Sequence, residues 1–374
     1  VVDNAFLDRT FNNQNWFQLR QDYVKQHRYK NMDEAQASIE AMIKTLGDPY
    51  TRYLNPSKYQ SIVNAATGTL AGIGVELSFA AKDNTNANVV ASNVQPNSPA
   101  KEAGIQAQDV IVQIDGTRFD DGKATPDDVA AKLRGPEGSK VAVLLDRKGE
   151  KLDLILTRKP IKIVSVSNYM SNSGGGKVGV IRIKNFSGTT AETVSNMIQE
   201  LRKKGAESLV LDLRGNPGGL LPGGVDTASL FLQSKKPVVF VVDKKGIVDA
   251  QETLADGLAS DIPVLLYVDR QTASAAEVMT AALQENQRAI VVGDQTFGKG
   301  IVQSLRPLSD GENGGVAVTI ARYETPQHHD INKQGIAVDV SIPGTCEKDD
   351  VVACIPTEAF QKEKALLVSS SSSS

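Results

Sequence analysis

Residues 208–219 read SLVLDLRGNPGG, and this stretch decides the fold, because an apolar β-strand runs directly into a glycine-rich turn. Similar apolar segments of strand length lie at residues 178–183, 238–242, 264–268 and 289–292. Helical patterns separate them, for example over residues 190–204. Near-continuous apolar strands that alternate with helices are typical of a largely parallel sheet that is covered on both faces. We therefore predict an α/β core over residues 160–345.

The turn at the end of this strand has a composition that suits catalysis. Gly218 and Gly219 lack Cβ atoms, so a substrate carbonyl can approach their backbone amides closely, as an oxyanion hole requires. The alternative is an ordinary tight turn, since Asn-Pro and Gly-Gly are common turn dipeptides. Taken alone, the composition of the turn favours the second interpretation.

A second candidate site is the start of a predicted helix over residues 274–286, which follows the sequence TASAAE at residues 272–277. Ser274 would lie at the helix N-terminus, where free backbone N–H groups favour negative charge. The hydroxyl of Ser274 would then be a nucleophile, and the N–H of Ala275 could donate to an oxyanion. The alternative, that Ser274 only caps the helix, is the simpler interpretation of an isolated serine.

A serine hydroxyl is a weak nucleophile and needs a base beside it. The usual base is histidine, but the sequence contains only His27, His328 and His329. Lys299 lies 25 residues after Ser274, in GDQTFGKGIVQ at residues 293–303. A lysine can act as the base where a dry site lowers its pKa from about 10.4 towards neutrality, and serine–lysine dyads are a known variant of the serine protease site. Gln303 could orient Lys299 through its side-chain carbonyl.

The segment around Lys299 also comes close to the phosphate-binding pattern G-x-x-x-x-G-K-[ST]. Gly300 replaces the hydroxyl residue that magnesium needs, and the following Ile301-Val302 favours a strand over a helix. A nucleotide site is therefore not expected. The adjacent His328 and His329 lack the carboxylate or cysteine spacing of a metal site, and we predict neither a metal nor another cofactor.

Two regions precede the core. Residues 1–66 read as helical, and residues 67–159 have the short strands, capped helices and hairpin signals of a small β-rich domain. A glycine loop near the start of that domain reads Gly72-Ile73-Gly74-Val75. Its amides could receive the terminal carboxylate of a peptide while the following strand pairs with the peptide. A plain hairpin turn is an equally good interpretation.

Composition and the termini narrow the function classes. The net charge of −3 and the pI near 5.8 give no sign of nucleic-acid binding, which favours basic patches. No apolar run approaches the roughly 18 residues of a membrane span. The chain opens on Val1-Val2-Asp3, so we expect a mature form without its signal peptide, or a trimmed one.

Cys346 and Cys354 form either a local disulfide, which would suit an oxidising compartment, or two free thiols. Residues 346–374 end in six serines, and we expect this tail to be disordered.

Together these residues resemble the carboxyl-terminal processing proteases, also called tail-specific proteases, from about residue 35 to residue 345. The resemblance implies an α+β multidomain protein with a helical N-terminal arm, a PDZ peptide-binding domain over residues 67–159, and a crotonase-like (ClpP/crotonase-type) serine protease core. Ser274 and Lys299 match the catalytic pair of the family, and Gln303 matches the residue that supports the lysine. The oxyanion hole of the family corresponds to Gly218, Gly219 and Ala275. Its PDZ carboxylate loop corresponds to Gly72, Ile73, Gly74 and Val75.

Among the branches of that family, the chain is most similar to the one that processes the photosystem II D1 protein in cyanobacteria and chloroplasts. ARYETP at residues 321–326 and DINK at residues 330–333 carry this likeness. It implies a peptidase of the thylakoid lumen or the periplasm that removes a C-terminal extension from the D1 precursor, and it allows peripheral association with the thylakoid membrane. Ala276 and Glu285 depart from the family, in which many members carry serine and aspartate, and the role of Glu285 stays open.

Three other functions remain compatible with the sequence. One is a general periplasmic tail-specific protease that acts on other proteins. Another is a PDZ adaptor with an inert protease core, against which the intact Ser274, Lys299 and Gln303 argue. The third is an acyl-CoA enzyme on the crotonase-like fold, which would also use a glycine-turn oxyanion hole but would not need a PDZ domain.

Overall fold

The computed structural model describes residues 2–26, 28–67, 71–80, 88–122, 124–161, 165–173, 176–342, 344, 346 and 349–371. The chain forms two compact units. The larger unit contains Val1–Tyr53, Val164–Arg306 and Val316–Ser374, and the smaller unit contains Leu54–Ile163 and Pro307–Gly315. The predicted protease core therefore lies mainly in the larger unit, and the predicted PDZ domain lies in the smaller one.

Helices are distributed along the whole described chain. They are α1 (Val2–Ala5), α2 (Trp16–Gln26), α3 (Met32–Lys44), α4 (Pro56–Thr67), α5 (Pro99–Glu102), α6 (Pro126–Leu133), α7 (Thr190–Lys203), α8 (Leu221–Ser229), α9 (Ala275–Glu285) and α10 (Thr357–Ser371). Short 3-10 helices lie at Ser309–Gly311 and Val351–Cys354. Helix α4 belongs to the smaller unit, whereas α1 to α3 belong to the larger one.

Strands lie along the described chain from residue 52 onwards. They are β1 (Arg52–Leu54), β2 (Ala71–Gly72), β3 (Val75–Phe79), β4 (Val89–Val94), β5 (Val110–Ile114), β6 (Thr117–Arg118), β7 (Lys140–Arg147), β8 (Glu150–Thr157), β9 (Lys159–Pro160), β10 (Val166–Ser171), β11 (Val178–Ile183), β12 (Ser208–Asp212), β13 (Pro237–Asp243), β14 (Gly246–Glu252), β15 (Val264–Val268), β16 (Ile290–Gly293), β17 (Ile301–Pro307), β18 (Gly315–Glu324) and β19 (Val340–Ser341).

The larger unit is built around a six-stranded sheet in the order β10-β11-β12-β15-β16-β19. Its strands from β11 to β19 are parallel, and β10 pairs with β11 antiparallel. The side chains of β12 alternate between two buried clusters, because Leu209 and Leu211 pack with residues of α7 to α9 while Val210 packs with Phe360 of α10. The structure thus confirms the predicted parallel sheet with two covered faces.

A second sheet of the larger unit contains β18, β13 and β14 in this order, and β17 also pairs with β18. Strand β13 is antiparallel to both of its neighbours. The N-terminal helices are held by aromatic packing, since buried Trp16 stacks on Phe11, which in turn stacks on Phe6. The indole N–H of Trp16 also donates a hydrogen bond to Asp3 at 2.6 Å.

The smaller unit is a β-rich domain with two capped helices. Its sheet has the order β3-β4-β5-β7-β8, with β6 paired to β5. Ser98 caps α5 by accepting a hydrogen bond from the N–H of Lys101, and Thr125 and Asp128 form a reciprocal capping box at the start of α6. These are the helix starts that the serine–proline and threonine–proline signals predict, and the unit has the short strands and capped helices of the predicted β-rich domain.

The C-terminal segment contains the one disulfide of the described residues. Cys346 and Cys354 are bonded, with their Cα atoms 6.0 Å apart, so the structure contains the first of the two arrangements that the spacing left open. Helix α10 runs through Ser371, into the serine run that was expected to be disordered, and residues 372–374 lie outside the described residues. Among the described helices, none is long and apolar enough to span a bilayer.

Candidate active site

Three loops of the larger unit meet at one edge of its parallel sheet. Strand β12 leads into the glycine turn, β15 leads into Ser274, and β16 leads into Lys299. These three strands are adjacent and parallel, so their carboxyl ends point the same way. The fold therefore gathers the three sequence segments that were singled out for chemistry.

Ser274 occupies a strained backbone conformation at the start of α9. Its φ and ψ are 58° and −123°, a region that residues with a Cβ rarely adopt and that costs on the order of 1–3 kcal/mol. Such strained strand-to-helix turns present the nucleophile in other hydrolases. The residue is half-buried and is the N-cap of the helix, as the sequence predicts. The strain indicates that the position of Ser274 serves more than helix capping.

The glycine turn lies directly against Ser274. A Cβ on Gly218, which has φ 99°, would be only 2.7 Å from the Cβ of Ser274 and 3.0 Å from the N of Ala275. Fully buried Asn216 holds the turn in place, because its Nδ2 donates to the carbonyl of Ile183 at 2.9 Å and its Oδ1 accepts from the N–H of Gly218 at 2.8 Å. The close approach explains why a glycine is needed at position 218.

Two backbone amides beside Ser274 are unused. The N–H of Gly218 is occupied by Asn216, whereas the N–H groups of Gly219 and Ala275 donate to no residue that the structure describes. The parallel bridge between Phe186 and Gly219 leaves the Gly219 amide free, since it uses the carbonyl of Gly218 and the N–H of Leu220. Of the two glycines considered from the sequence, Gly219 is therefore the one with an available donor.

Lys299 is half-buried, and its Nζ lies 5.6 Å from the centre of the Tyr50 ring. Burial lowers the pKa of Lys299 below its usual value, the nearby positive charge of Arg52 lowers it further, and the carboxylate of Glu277 opposes the shift. The backbone on either side is closely packed, because a Cβ at Gly300 would lie 2.5 Å from the N of Asn332. The glycines on either side of Lys299 thus allow the backbone to pack closely against its neighbours, which helps to bury the lysine.

Gln303 contacts the same residue as Lys299, but by another route. Its Nε2 donates to the backbone carbonyl of Tyr50 at 2.7 Å. Within the described part of the chain, no hydrogen bond joins the Nζ of Lys299 to either Ser274 or Gln303. The structure therefore places the three predicted residues around one site without direct bonds between their functional groups.

Glu277 is a residue of this site that the sequence analysis did not single out. Its side chain is fully buried and accepts four hydrogen bonds. Oε2 accepts from the N–H groups of Ser274 at 2.8 Å and Lys299 at 2.9 Å, and Oε1 accepts from the hydroxyl of Thr296 at 2.6 Å and the N–H of Gly298 at 2.7 Å. One carboxylate thus ties the serine turn to the lysine loop. The signal that could have found it is the capping-box spacing of a serine followed three residues later by glutamate.

The histidine-containing segment is structural in its contacts. Glu285 accepts hydrogen bonds from the Thr325 hydroxyl at 2.8 Å, the N–H of Gln327 at 2.8 Å and Nδ1 of His329 at 2.9 Å. The ring of His328 stacks on Phe240. The described residues contain no cluster of metal ligands. The position of Glu285 therefore supports the turn after β18.

The smaller unit contains a separate cavity of about 330 Å³ at the glycine loop. Residues 72–77 line it together with Ala130 and Leu133 of α6. The carbonyls of Ile73 and Gly74 accept hydrogen bonds from the N–H groups of Ala100 and Gln95, but their own N–H groups donate to no residue in the described ranges. This groove between β3 and α6 combines free amides at one end with an apolar wall.

Comparison with known proteins identifies the two predicted domains. Residues 177–342 match peptidase family S41, and residues 90–147 match a PDZ domain. The carboxyl-terminal-processing protease of Synechocystis sp. is 42% identical over 344 residues, which cover 91% of this chain and 78% of the relative. The chloroplastic carboxyl-terminal-processing peptidase 2 of Arabidopsis thaliana is 36% identical over 380 residues, which cover 99% of this chain and 73% of the relative.

A solved structure, the photosystem II D1 C-terminal processing protease, superposes with a TM-score of 0.63 at 34% identity, and the match covers 94% of this chain and 93% of the other. A putative S41 protease from Bacteroides fragilis superposes with a TM-score of 0.53 at 17% identity, over 89% and 90% of the two chains, which supports the fold alone. The chain thus belongs to peptidase family S41, as a serine peptidase of the carboxyl-terminal-processing protease group.

Proposed function

We propose that this peptidase removes a C-terminal extension from a protein substrate, with Ser274 as the nucleophile and Lys299 as the base. The observation that carries the proposal is the surroundings of Ser274. A strained turn presents the hydroxyl, and beside it lie two amides that have no acceptor in the described part of the chain. A half-buried lysine with a lowered pKa follows at the end of the neighbouring strand. Each of these features has a stated role in acyl transfer, and none is needed for a PDZ adaptor.

In the first step, neutral Lys299 takes the proton of the Ser274 hydroxyl as Oγ attacks the scissile carbonyl. The side chain of Lys299 leaves the ring of Tyr50, where its Nζ lies in the free enzyme, because catalytic hydrogen bonds often tighten only when substrate is bound. The negative charge that develops on the carbonyl oxygen is stabilised by the N–H groups of Gly219 and Ala275. A donor of this kind contributes about 3–4 kcal/mol.

Collapse of the tetrahedral intermediate breaks the peptide bond. The Lys299 ammonium returns its proton to the leaving amine, and the C-terminal fragment departs with a new amino terminus. An ester then joins Ser274 to the remaining protein. Lys299, neutral again, activates a water that hydrolyses the ester and regenerates the enzyme.

The remaining predicted residues position this chemistry. Gln303 is anchored through its amide nitrogen on Tyr50, which leaves its carbonyl oxygen to accept a hydrogen bond from Lys299 as that side chain moves. Gly218 gives the turn its close approach to Ser274 and is not itself a donor. The oxyanion hole therefore consists of Gly219 and Ala275.

Recognition of the substrate terminus is the role that we assign to the smaller unit. The free N–H groups of Ile73 and Gly74 would bind the terminal carboxylate, and Gly72 and Val75 hold the loop between β2 and β3. The peptide would then extend along β3 as an added strand, with apolar side chains against Leu133 and its neighbours in the cavity. This arrangement selects a free C-terminus rather than an internal segment.

The D1 precursor is the substrate that the similarity supports, because the structure that superposes over most of the chain is a D1 processing protease. We infer a thylakoid-lumen or periplasmic location from cyanobacterial and chloroplastic relatives, and the disulfide suits such an oxidising compartment. Peripheral contact with the thylakoid membrane would bring the enzyme to this substrate. A periplasmic protease of other proteins is the second candidate, since its site would have the same geometry.

Mass spectrometry of a D1 C-terminal peptide incubated with the enzyme tests the proposal, with Ser274→Ala as the blank. We expect cleavage at one bond by the wild-type enzyme only, and much slower cleavage of the same peptide with an amidated C-terminus. Cleavage of an unrelated unfolded protein but not of the D1 peptide would reject the D1 assignment and keep the peptidase. Equal cleavage by the wild type and Ser274→Ala would overturn the assignment of the nucleophile.

A further inference from the structure

The turn Asp48–Thr51 lies outside residues 177–342, which match the peptidase family, yet it contacts the candidate site. The ring of Tyr50 has the Nζ of Lys299 at 5.6 Å from its centre, within the range of a cation–π contact. The carbonyl of the same residue accepts the hydrogen bond of Gln303 at 2.7 Å. Tyr50 therefore touches both residues of the lysine side of the site.

The backbone of this turn is fixed by one carboxylate. Oδ1 of Asp48 accepts a hydrogen bond from the N–H of Tyr50 at 3.0 Å, and Oδ2 accepts from the N–H and the hydroxyl of Thr51 at 3.1 and 2.6 Å. The Thr51 hydroxyl accepts in turn from the N–H of Thr319, in β18, at 3.0 Å. Because both threonines are buried, these bonds anchor the backbone that carries Tyr50 to β18.

We propose that Tyr50 is a positioning residue for Lys299. In the free enzyme, the ring of Tyr50 holds the amine of Lys299 in place and keeps water away from it. The inference rests on the proposed function, in which Lys299 is the base. It also means that the peptidase site is completed by the N-terminal segment of the chain. A fragment that contained only residues 177–342 would lack Tyr50.

Two effects of the ring act on Lys299 in opposite directions. Its π-face attracts the ammonium, which favours the protonated form, and its bulk excludes water, which disfavours the charge. The charged groups that face Lys299 are Arg52 and Glu277, which oppose each other, and burial is the largest cause of the lowered pKa. We therefore expect the exclusion of water by the ring to outweigh its attraction for the ammonium.

Truncation of the ring would admit water. Tyr50 also lines a cavity of about 320 Å³ together with Asp8, Asp48 and Asn332, which is roomy and polar enough to hold several waters. In Tyr50→Ala the volume of the ring would join this cavity. The amine of Lys299 would then be hydrated, and its pKa would rise towards that of a free lysine.

The test is kcat/KM against pH, between pH 6 and 10, for the wild type, Tyr50→Phe and Tyr50→Ala, with a quenched fluorescent peptide that ends in a free carboxylate. We expect activity to rise with pH in all three and the rise to occur at the same pH in the wild type and Tyr50→Phe. In Tyr50→Ala it should move to a pH higher by about one unit, with much of the activity regained there. A uniform loss of rate at every pH would overturn the inference.

Two further variants keep the outcome decisive. Tyr50→Leu fills most of the space without a π-face, so its kcat/KM should not rise at a higher pH than that of the wild type. A shift to higher pH in this variant would contradict water exclusion, and this test remains even if Tyr50→Ala does not fold. Tyr29→Ala, an exposed tyrosine of the same N-terminal segment, should leave the profile unchanged. If Lys299→Ala keeps the wild-type profile, the proposed base is wrong; if it is inactive while the Tyr50 variants do not move the profile, only this inference fails.

Discussion

The glycine turn of the larger unit and the glycine loop of the smaller unit present unused amides in different ways. Besides its backbone hydrogen bonds to Phe186, the turn is fixed by buried side chains, with Asn216 bonded to Gly218 and Glu277 bonded to four donors around Ser274. The loop is fixed by backbone hydrogen bonds, in which Ala100 donates to Ile73 and Gln95 donates to Gly74. Both use glycine at positive φ.

This difference follows from the charge that each set of amides is proposed to meet. An oxyanion exists only in the transition state and intermediate, so its donors contribute to rate only when they are already in place. A terminal carboxylate is present in the ground state, and a loop that adjusts slightly still binds it. The comparison predicts that damage to the first region lowers kcat, whereas damage to the second raises KM.

The largest expected effect is that of Glu277→Gln. The substitution would place an NH₂ group against N–H donors that now share a carboxylate, so the serine turn and the lysine loop would lose their common anchor. We expect kcat to fall by about 10²–10³-fold with little change in KM. Steady-state kinetics at a temperature where the variant is folded would show this. Glu192→Gln, on the exposed side of α7, is the matched control. A rise in the KM of Glu277→Gln at constant kcat would contradict the distinction between the two regions.

A change in pH should affect the activity of the enzyme and the stability of the larger unit in opposite directions. Burial raises the pKa of Glu363 to about 8, despite the opposing charge of Arg288, and both of its carboxylate oxygens lack a partner among the described residues. The unfolded chain releases this proton near pH 4.3. The folded protein keeps it up to about pH 8, so stability should fall by a few kcal/mol between these values.

The activity and the stability of the enzyme should therefore have opposite pH dependences, because Lys299 must lose its proton to act. Denaturant unfolding at pH 5 and pH 8 measures the effect of Glu363 directly. Glu363→Gln should be more stable than the wild type at pH 8 and should lose little between the two values. Glu358→Gln, exposed on the same helix, serves as the control; a parallel decline in all three proteins would contradict the assignment.

The smallest expected effect concerns the loop of the smaller unit. In Gly74→Ala, a Cβ would lie 2.3 Å from the Cβ of Ser98 at a φ of 80°, so the loop would have to shift. We expect KM to rise about tenfold for a peptide with a free carboxylate, with kcat unchanged. Gly104→Ala has a similar positive φ, but among the described residues no atom lies within 4 Å of the new Cβ, and it should leave KM unchanged. A loss of kcat in Gly74→Ala would remove the distinction between the two regions.

Much of the architecture could be predicted from local sequence signals. The strand at residues 208–213 and the helix that begins at Ser274 were both evident from apolar patterning and N-terminal capping, and the structure has β12 and α9 at these places. The parallel order of the strands also followed, because buried strands that alternate with helices have few other arrangements.

The rest required contacts between distant residues. Tyr50 and Gln303 are bonded although they lie 253 positions apart, and no local pattern connects them. Glu277 looks like a helix-capping residue in the sequence. Only the structure shows that its carboxylate is completely buried between two loops and accepts four hydrogen bonds. The choice between Gly218 and Gly219 depended on which N–H was already occupied, which composition cannot show.

The most direct test of the central claim is a search for the ester on Ser274. The wild-type enzyme would be mixed with excess peptide, quenched in acid within one turnover, and analysed by intact mass and fragmentation. We expect an added mass equal to the N-terminal product less one water, located on Ser274, absent from Ser274→Ala and strongly reduced in Lys299→Ala. Cleavage with no adduct on Ser274, at a rate that Ser274→Ala retains, would contradict it.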